Sequence, residues 1–293
     1  MTMFTGSGVA IVTPFTAEGE IDFTALGELI EFQINNGTDA IIIAGTTGEA
    51  STMTDEEQAD VVRYTVEAVG KRIPVIAGAG SNDTRHGINL SLMCQEAGAD
   101  ALLSVTPYYN KTTQKGMKEH FLAIADAVDI PVILYNVPAR TNLDLVPQTV
   151  FELSAHENIV GIKDATGNVA ATVEIRRLCG PDFAIYSGND DIIVPMMAAG
   201  AQGVISVLAN TNPRETHEMV AACLAGCYDE GLSLQLRYKR YIDALFAEAN
   251  PIPVKAALNL MGLPAGAYRL PLTTPGDATV VLLKETMTEV GLL

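Results

Sequence analysis

Short apolar runs rich in β-branched residues recur along the chain, each bounded by Gly, Pro or Asp: GVAIVTPF (8–15), AIIIAGTTGE (40–49), IPVIAGAG (73–80), ALLSVTPYY (101–109), IPVILYNVP (130–138), NIVGIKD (158–164), FAIYSGND (183–190) and GVISVLAN (203–210). Between them lie longer stretches whose apolar residues return at helical spacing, over 23–33, 55–69, 84–97, 116–128 and 168–179, several of them opened by Asp, Thr or Asn. Runs that are apolar almost throughout, rather than alternating, predict strands buried on both faces, and helices between them supply the cover. Eight such units at spacings of about 20 to 35 residues favour a closed (β/α)8 barrel, an α/β fold of the TIM type, over an open doubly wound sheet. The residues after the eighth run read as helices only. The expected organisation is therefore a barrel over 1–226 followed by a C-terminal helical extension over 227–293.

Charge and composition narrow the partners. With 18 basic against 35 acidic residues the chain carries a formal charge of -17, which repels nucleic acid and anionic membrane. The acidity is spread along the chain, as in a soluble protein of the cytoplasm. Cys94, Cys179, Cys223 and Cys227 form no CxxC pair, and Cys223 and Cys227 fall on one predicted helix without accompanying histidines, so reduced thiols are expected rather than a metal site or a disulfide. The N-terminus has no basic start before its first apolar run, and no run is long enough to span a bilayer.

In a barrel of this type the C-terminal ends of the strands carry the chemistry, so polar residues there count for more than elsewhere. Four ends are unusually polar: GTTGE (45–49), PYYN (107–110), LYNVPART (134–141) and GIKDATG (161–167). Each also has an ordinary reading. The first is a βα turn whose backbone N–H groups can hold a carboxylate or phosphate, Tyr109 and Tyr135 can be core aromatics, and Arg140 can be a surface arginine. Lys163 is different, because a lysine closing an apolar strand either reaches the barrel mouth with its ammonium or is there for its amine. At the ordinary lysine pKa of about 10.4 only about one amine in 2,500 is free at pH 7, so nucleophilic use needs desolvation or a positive field, and a strand end inside a barrel offers the former. A free amine there condenses with a ketone to a Schiff base, whose enamine is a carbon nucleophile made without metal or cofactor. The protons that move in those steps need a carrier, and Tyr135, Thr46 and Tyr109 are of the right type. Lys255, in NPIPVKAAL, is the one rival lysine; in the first turns of a helix it reads as solvated or structural.

The set of motifs resembles the class I pyruvate-dependent aldolase family over nearly the whole chain, running through GVAIVTPF, GTTGE, TPYYN, YNVPART, GIKDATG, SGND, GVISV and NPIPVKAAL in order. The resemblance implies that Lys163 forms the Schiff base with pyruvate and that Tyr135 is its acid/base. It implies a hydroxyl relay completed by Thr46 and by Tyr109, the latter reaching into a neighbouring subunit's site across a tight dimer, within a dimer of dimers. Thr47 and its backbone N–H would hold the pyruvate carboxylate, Gly188 and Ile205 would line the pocket, and Arg140 would hold the carboxylate of L-aspartate 4-semialdehyde. Thr46 and Arg140 place the chain with the synthase-like members, for which the expected reaction is aldol condensation, ring closure and release of Lys163 in the service of lysine and diaminopimelate synthesis. A retro-aldol lyase acting on a 2-keto-3-deoxy sugar acid or N-acetylneuraminate is the alternative in the same chemistry, and a barrel that has lost catalysis is the alternative outside it.

Many relatives are inhibited by L-lysine at a dimer-interface cleft beside the loop after GTTGE. Ser51, Asn82 and Tyr108 agree with that site, whereas Ala50, Asp55, Gln58 and His86 stand where strongly inhibited relatives carry Ser, His, His and Glu. His86 in place of a glutamate removes a partner for an ammonium, so weak or absent inhibition is expected unless Asp55 compensates.

Overall fold

Helix caps written in the sequence set where the elements begin. In a computed structural model, which describes residues 3–293, Asp22, Thr54, Asp83, Thr113 and Asn168 each accept a hydrogen bond from a backbone N–H three residues on, the geometry of an N-cap. These caps open α1 (Phe23–Asn35), α2 (Asp55–Val69), α3 (Thr84–Glu96) and α4 (Gln114–Ala125), and, after the short α5 (Pro138–Thr141) and α6 (Pro147–Leu153), also α7 (Val169–Cys179). Thr54 and Glu57 complete a reciprocal capping box, so α2 starts where the pattern predicts. The predicted 116–128 helix instead begins at Gln114, because Thr113 caps it.

Eight parallel strands close on themselves in sequence order, β1 (Gly6–Ala10), β2 (Ala40–Ile43), β3 (Val75–Gly78), β4 (Ala101–Val105), β5 (Val132–Asn136), β6 (Ile159–Asp164), β7 (Ala184–Ser187) and β8 (Gly203–Ser206), with β8 paired to β1. This is the closed α/β barrel rather than the open sheet. The first run is shifted: pairing ends at Ala10, the Val12 N–H goes to the Asn210 side chain, Pro14 has no N–H to give, and Phe15 leaves the barrel to bridge Ile21 and Gly266. One face of the strands buries Ile42, Ile76, Leu103, Ile133 and Ile205 in the barrel interior; the other packs Val9, Ile41, Leu134 and Ile185 against the helices. Phe4 and Tyr186 stack with ring centroids 4.3 Å apart and plug the barrel on its N-terminal side.

Between β7 and β8 lies α8 (Ile193–Ala198), and after β8 come α9 (Pro213–Leu224), α10 (Tyr228–Leu245), α11 (Ile252–Leu260) and α12 (Asp277–Val290). α10 packs on α8, α9 and α12. Cys223 and Cys227 do not share a helix: α9 ends between them, at a turn through Gly226 in the left-handed region (φ 81°). All four cysteines are free, and burial pushes the Cys94 thiol up to about 12. No described helix is long and apolar enough to cross a membrane.

Candidate active site

Strand register delivers the first pair of residues. Tyr135 on β5 lies beside Lys163 on β6, so both project from the same face into the barrel mouth. The Lys163 amine sits 4.4 Å from the centroid of the Tyr135 ring, with the two residues only 6 % and 7 % exposed. Among the described residues no carboxylate lies within ion-pair distance of that amine. On its other side Lys163 is level with Tyr186 of β7, but that hydroxyl is spent: it donates to the Phe4 carbonyl at 2.8 Å, and burial raises its pKa above the usual tyrosine range. Tyr135 is therefore the tyrosine positioned to exchange protons beside Lys163.

The GTTGE turn follows β2 at the same end of the barrel. Ala44 and Glu49, at φ 52° and 57°, bring the backbone into the left-handed region at either end of it. Among the described residues no acceptor pairs with the backbone N–H groups of Thr46, Thr47 or Gly48, which leaves a cluster of donors suited to a carboxylate. Thr47 is buried and its hydroxyl accepts from Asn250 Nδ2 at 2.9 Å, while Thr46 is half-buried and makes no direct hydrogen bond to Tyr135. Ile205 lies in the same interior cluster as Tyr135. Gly188, just past β7, donates its N–H to the Asp164 carbonyl at 2.8 Å, and a Cβ there would come within 2.6 Å of Ala165 Cβ. A side chain at 188 would thus push on the turn that follows Lys163.

Arg140 stands on the one-turn helix α5, exposed at the rim, and donates through Nη2 to the Asn250 carbonyl at 3.2 Å. Asn250 therefore joins the Thr47 and Arg140 sides of the mouth. It was not singled out from the sequence, although the polar residue opening NPIPVKAAL was the available signal. Asp190 is another such residue: fully buried, it accepts from the Val207 and Leu208 N–H groups, both at 2.9 Å. Burial raises the Asp190 carboxyl above the usual range, against the pull of Ser206, those N–H groups and Lys163.

Tyr109 and Lys255 stand apart from the Lys163–Tyr135 pair. Tyr109 is 91 % exposed on a left-handed backbone (φ 66°), so the relay from Tyr135 through Thr46 to Tyr109 is not closed within one chain. Lys255, read as solvated or structural, is not solvated at all; it is wholly buried against Glu49.

The dihydrodipicolinate synthetase family model matches residues 3–289 of this geometry's chain. The chain belongs to that family. It is 57 % identical over 291 residues to the 4-hydroxy-tetrahydrodipicolinate synthase of Acetivibrio thermocellus, covering 99 % of each chain. The chloride-inhibited dihydrodipicolinate synthase of Acinetobacter baumannii, solved with pyruvate, superposes with a TM-score of 0.97 at 43 % identity over all of both chains. The Cyanidioschyzon merolae enzyme, solved with lysine bound, does so with a TM-score of 0.97 at 41 % identity, again over all of both chains.

Against the cleft that the family resemblance assigns to lysine, this member of the dihydrodipicolinate synthetase family shows an internal pair. His86 Nε2 lies 2.9 Å from Asp55 Oδ1, and His86 Nδ1 lies 2.9 Å from the Ser81 hydroxyl. Gln58 is buried and donates to the Ala50 carbonyl at 3.2 Å. The carboxylate at 55 thus already has a partner on α3.

Proposed function

We propose that this protein condenses pyruvate with L-aspartate 4-semialdehyde to 4-hydroxy-tetrahydrodipicolinate through a Schiff base on Lys163. The observation that carries the reading is the buried Lys163 amine over the Tyr135 ring at the mouth of the barrel, in a chain 57 % identical to a synthase of that name. The amine attacks the pyruvate ketone to give a carbinolamine, which loses water to an iminium. Loss of a methyl proton then gives the enamine. Its carbon attacks the aldehyde of the semialdehyde, whose oxygen takes up a proton and remains as the hydroxyl. The acceptor's own amine next adds to the iminium carbon, closes the ring and expels Lys163, so that one water leaves per turnover.

Each step moves a proton, and Tyr135 is assigned that work. Thr47 and its unpartnered backbone N–H hold the pyruvate carboxylate, Gly188 and Ile205 line the pocket, and Arg140 takes the carboxylate of the second substrate as a charge-assisted partner. Tyr109, turned out to solvent, completes the Thr46–Tyr135 relay of a second copy across a tight dimer, and two such dimers form the tetramer. The cytoplasm is the compartment we infer for the reaction. A coupled assay with each aldehyde tests it: turnover with L-aspartate 4-semialdehyde and none in the retro-aldol direction on N-acetylneuraminate is the expected result, and the reverse preference would refute it.

A further inference from the structure

The chain keeps a second buried lysine that the chemistry above does not use. Lys255, on α11, and Glu49, on the GTTGE turn, meet at 2.6 Å with both side chains 0 % exposed, although 206 positions separate them in sequence. All three ammonium hydrogens have acceptors: Glu49 Oε1, the Thr13 carbonyl at 3.0 Å and the Ala267 carbonyl. The second Glu49 oxygen accepts from the Arg269 N–H at 3.3 Å, and Thr13 in turn donates its hydroxyl to the Gly48 carbonyl at 2.7 Å. One ammonium therefore ties the loop after β1, the GTTGE turn and the C-terminal extension together at a single point. The aromatic rings of Phe15 and Tyr268 close over it at 4.8 and 5.2 Å.

Well-packed apolar residues could fill this volume without desolvating two charges, so bulk stability alone does not call for an ion pair here. What apolar residues cannot do is fix a direction. Glu49 sits at φ 57°, a conformation a glutamate does not favour, and its carboxylate is held at both oxygens. The open N–H groups of Thr46, Thr47 and Gly48 immediately precede it. We propose that Glu49 and Lys255 are a positioning pair that aims this turn at the barrel mouth and thereby sets how tightly the keto acid's carboxylate is held. The inference rests on the pyruvate reading above. Neither residue touches the reacting atoms.

The test compares the charge-free double variant Glu49→Gln/Lys255→Met with Leu283→Ala, a cavity in α12 that removes no atom of the pair or of the turn, the two matched by their loss of thermal stability. The double variant should raise the KM for pyruvate by about tenfold or more while kcat stays within about threefold, and Leu283→Ala should leave KM unchanged. Glu49→Gln alone keeps an acceptor for Lys255 and should raise KM by about threefold, which gives a reading if the double variant does not fold. Parental KM in the Glu49 variants, or an equal rise in Leu283→Ala, overturns the positioning pair. Borohydride trapping of pyruvate by the wild-type chain separates the two ideas: no trapping overturns the reaction itself, whereas trapping beside unchanged KM values overturns only the pair.

Discussion

Two lysines are buried in this molecule, and their surroundings differ in the one respect that matters. Lys255 has a carboxylate, two carbonyls and two aromatic rings around its ammonium, and burial, opposed by Glu49, pulls its pKa below the usual lysine range. Lys163 has the face of one tyrosine and, among the described residues, no carboxylate partner. A fully partnered ammonium is a fixed strut; a buried amine without a counter-charge is available to a ketone. The roles we propose for the two lysines are thus opposite despite similar burial, and hydrogen-bond partners rather than exposure tell them apart.

Deleting each lysine separates the two environments most visibly. Lys163→Ala should abolish turnover while leaving the urea midpoint unchanged or higher, because no ion pair is lost. Lys255→Met strands the Glu49 carboxylate and should cost about 3–5 kcal/mol of stability. Denaturation and initial rates on both variants check this, and a Lys163→Ala protein with wild-type turnover would reverse the assignment. Next in size, Tyr135→Phe keeps the ring under the Lys163 amine but removes the proton carrier. A loss of about 10²- to 10⁴-fold, mainly in kcat, is expected in steady-state assays, and unchanged kcat would remove Tyr135 from the chemistry.

Arg140→Ala sharpens the contrast between the two substrates. The pyruvate adduct should form as in the wild type while the KM for the semialdehyde rises about ten- to a hundredfold, the equivalent of one charge-assisted hydrogen bond of about 1.5–3 kcal/mol. If adduct formation fails equally, Arg140 serves the Asn250 junction instead. The smallest effect concerns L-lysine: with Asp55 already joined to His86, millimolar lysine should inhibit little or not at all. Initial rates across a lysine titration decide it, and half-inhibition in the submillimolar range would show that this pair opens to admit the ligand.

The barrel was legible because strands covered on both faces must be apolar throughout, and α2 was legible to the residue because Thr54 and Glu57 write its start. Lys163 and Tyr135 could be read because each ends such a strand, and register alone sets them side by side. The joint between the barrel mouth and the extension could not. Asn250 meets Thr47 and Lys255 meets Glu49 across more than 200 residues, and no local period encodes a contact of that range. Tyr109 is opaque for another reason: its exposure follows from one left-handed residue in a loop, and no apolar pattern announces a side chain turned outward. The short helices α5, α6 and α8 were missed because 4, 7 and 6 residues are too few to show a helical repeat.

Reductive trapping reads the Schiff base at Lys163 itself. The wild-type protein, incubated with pyruvate and sodium borohydride and then digested, should carry one reduced three-carbon adduct per chain, on Lys163, with Lys255 and the remaining lysines unmodified. An adduct on Lys255, or none on Lys163 under conditions of full turnover, would contradict it.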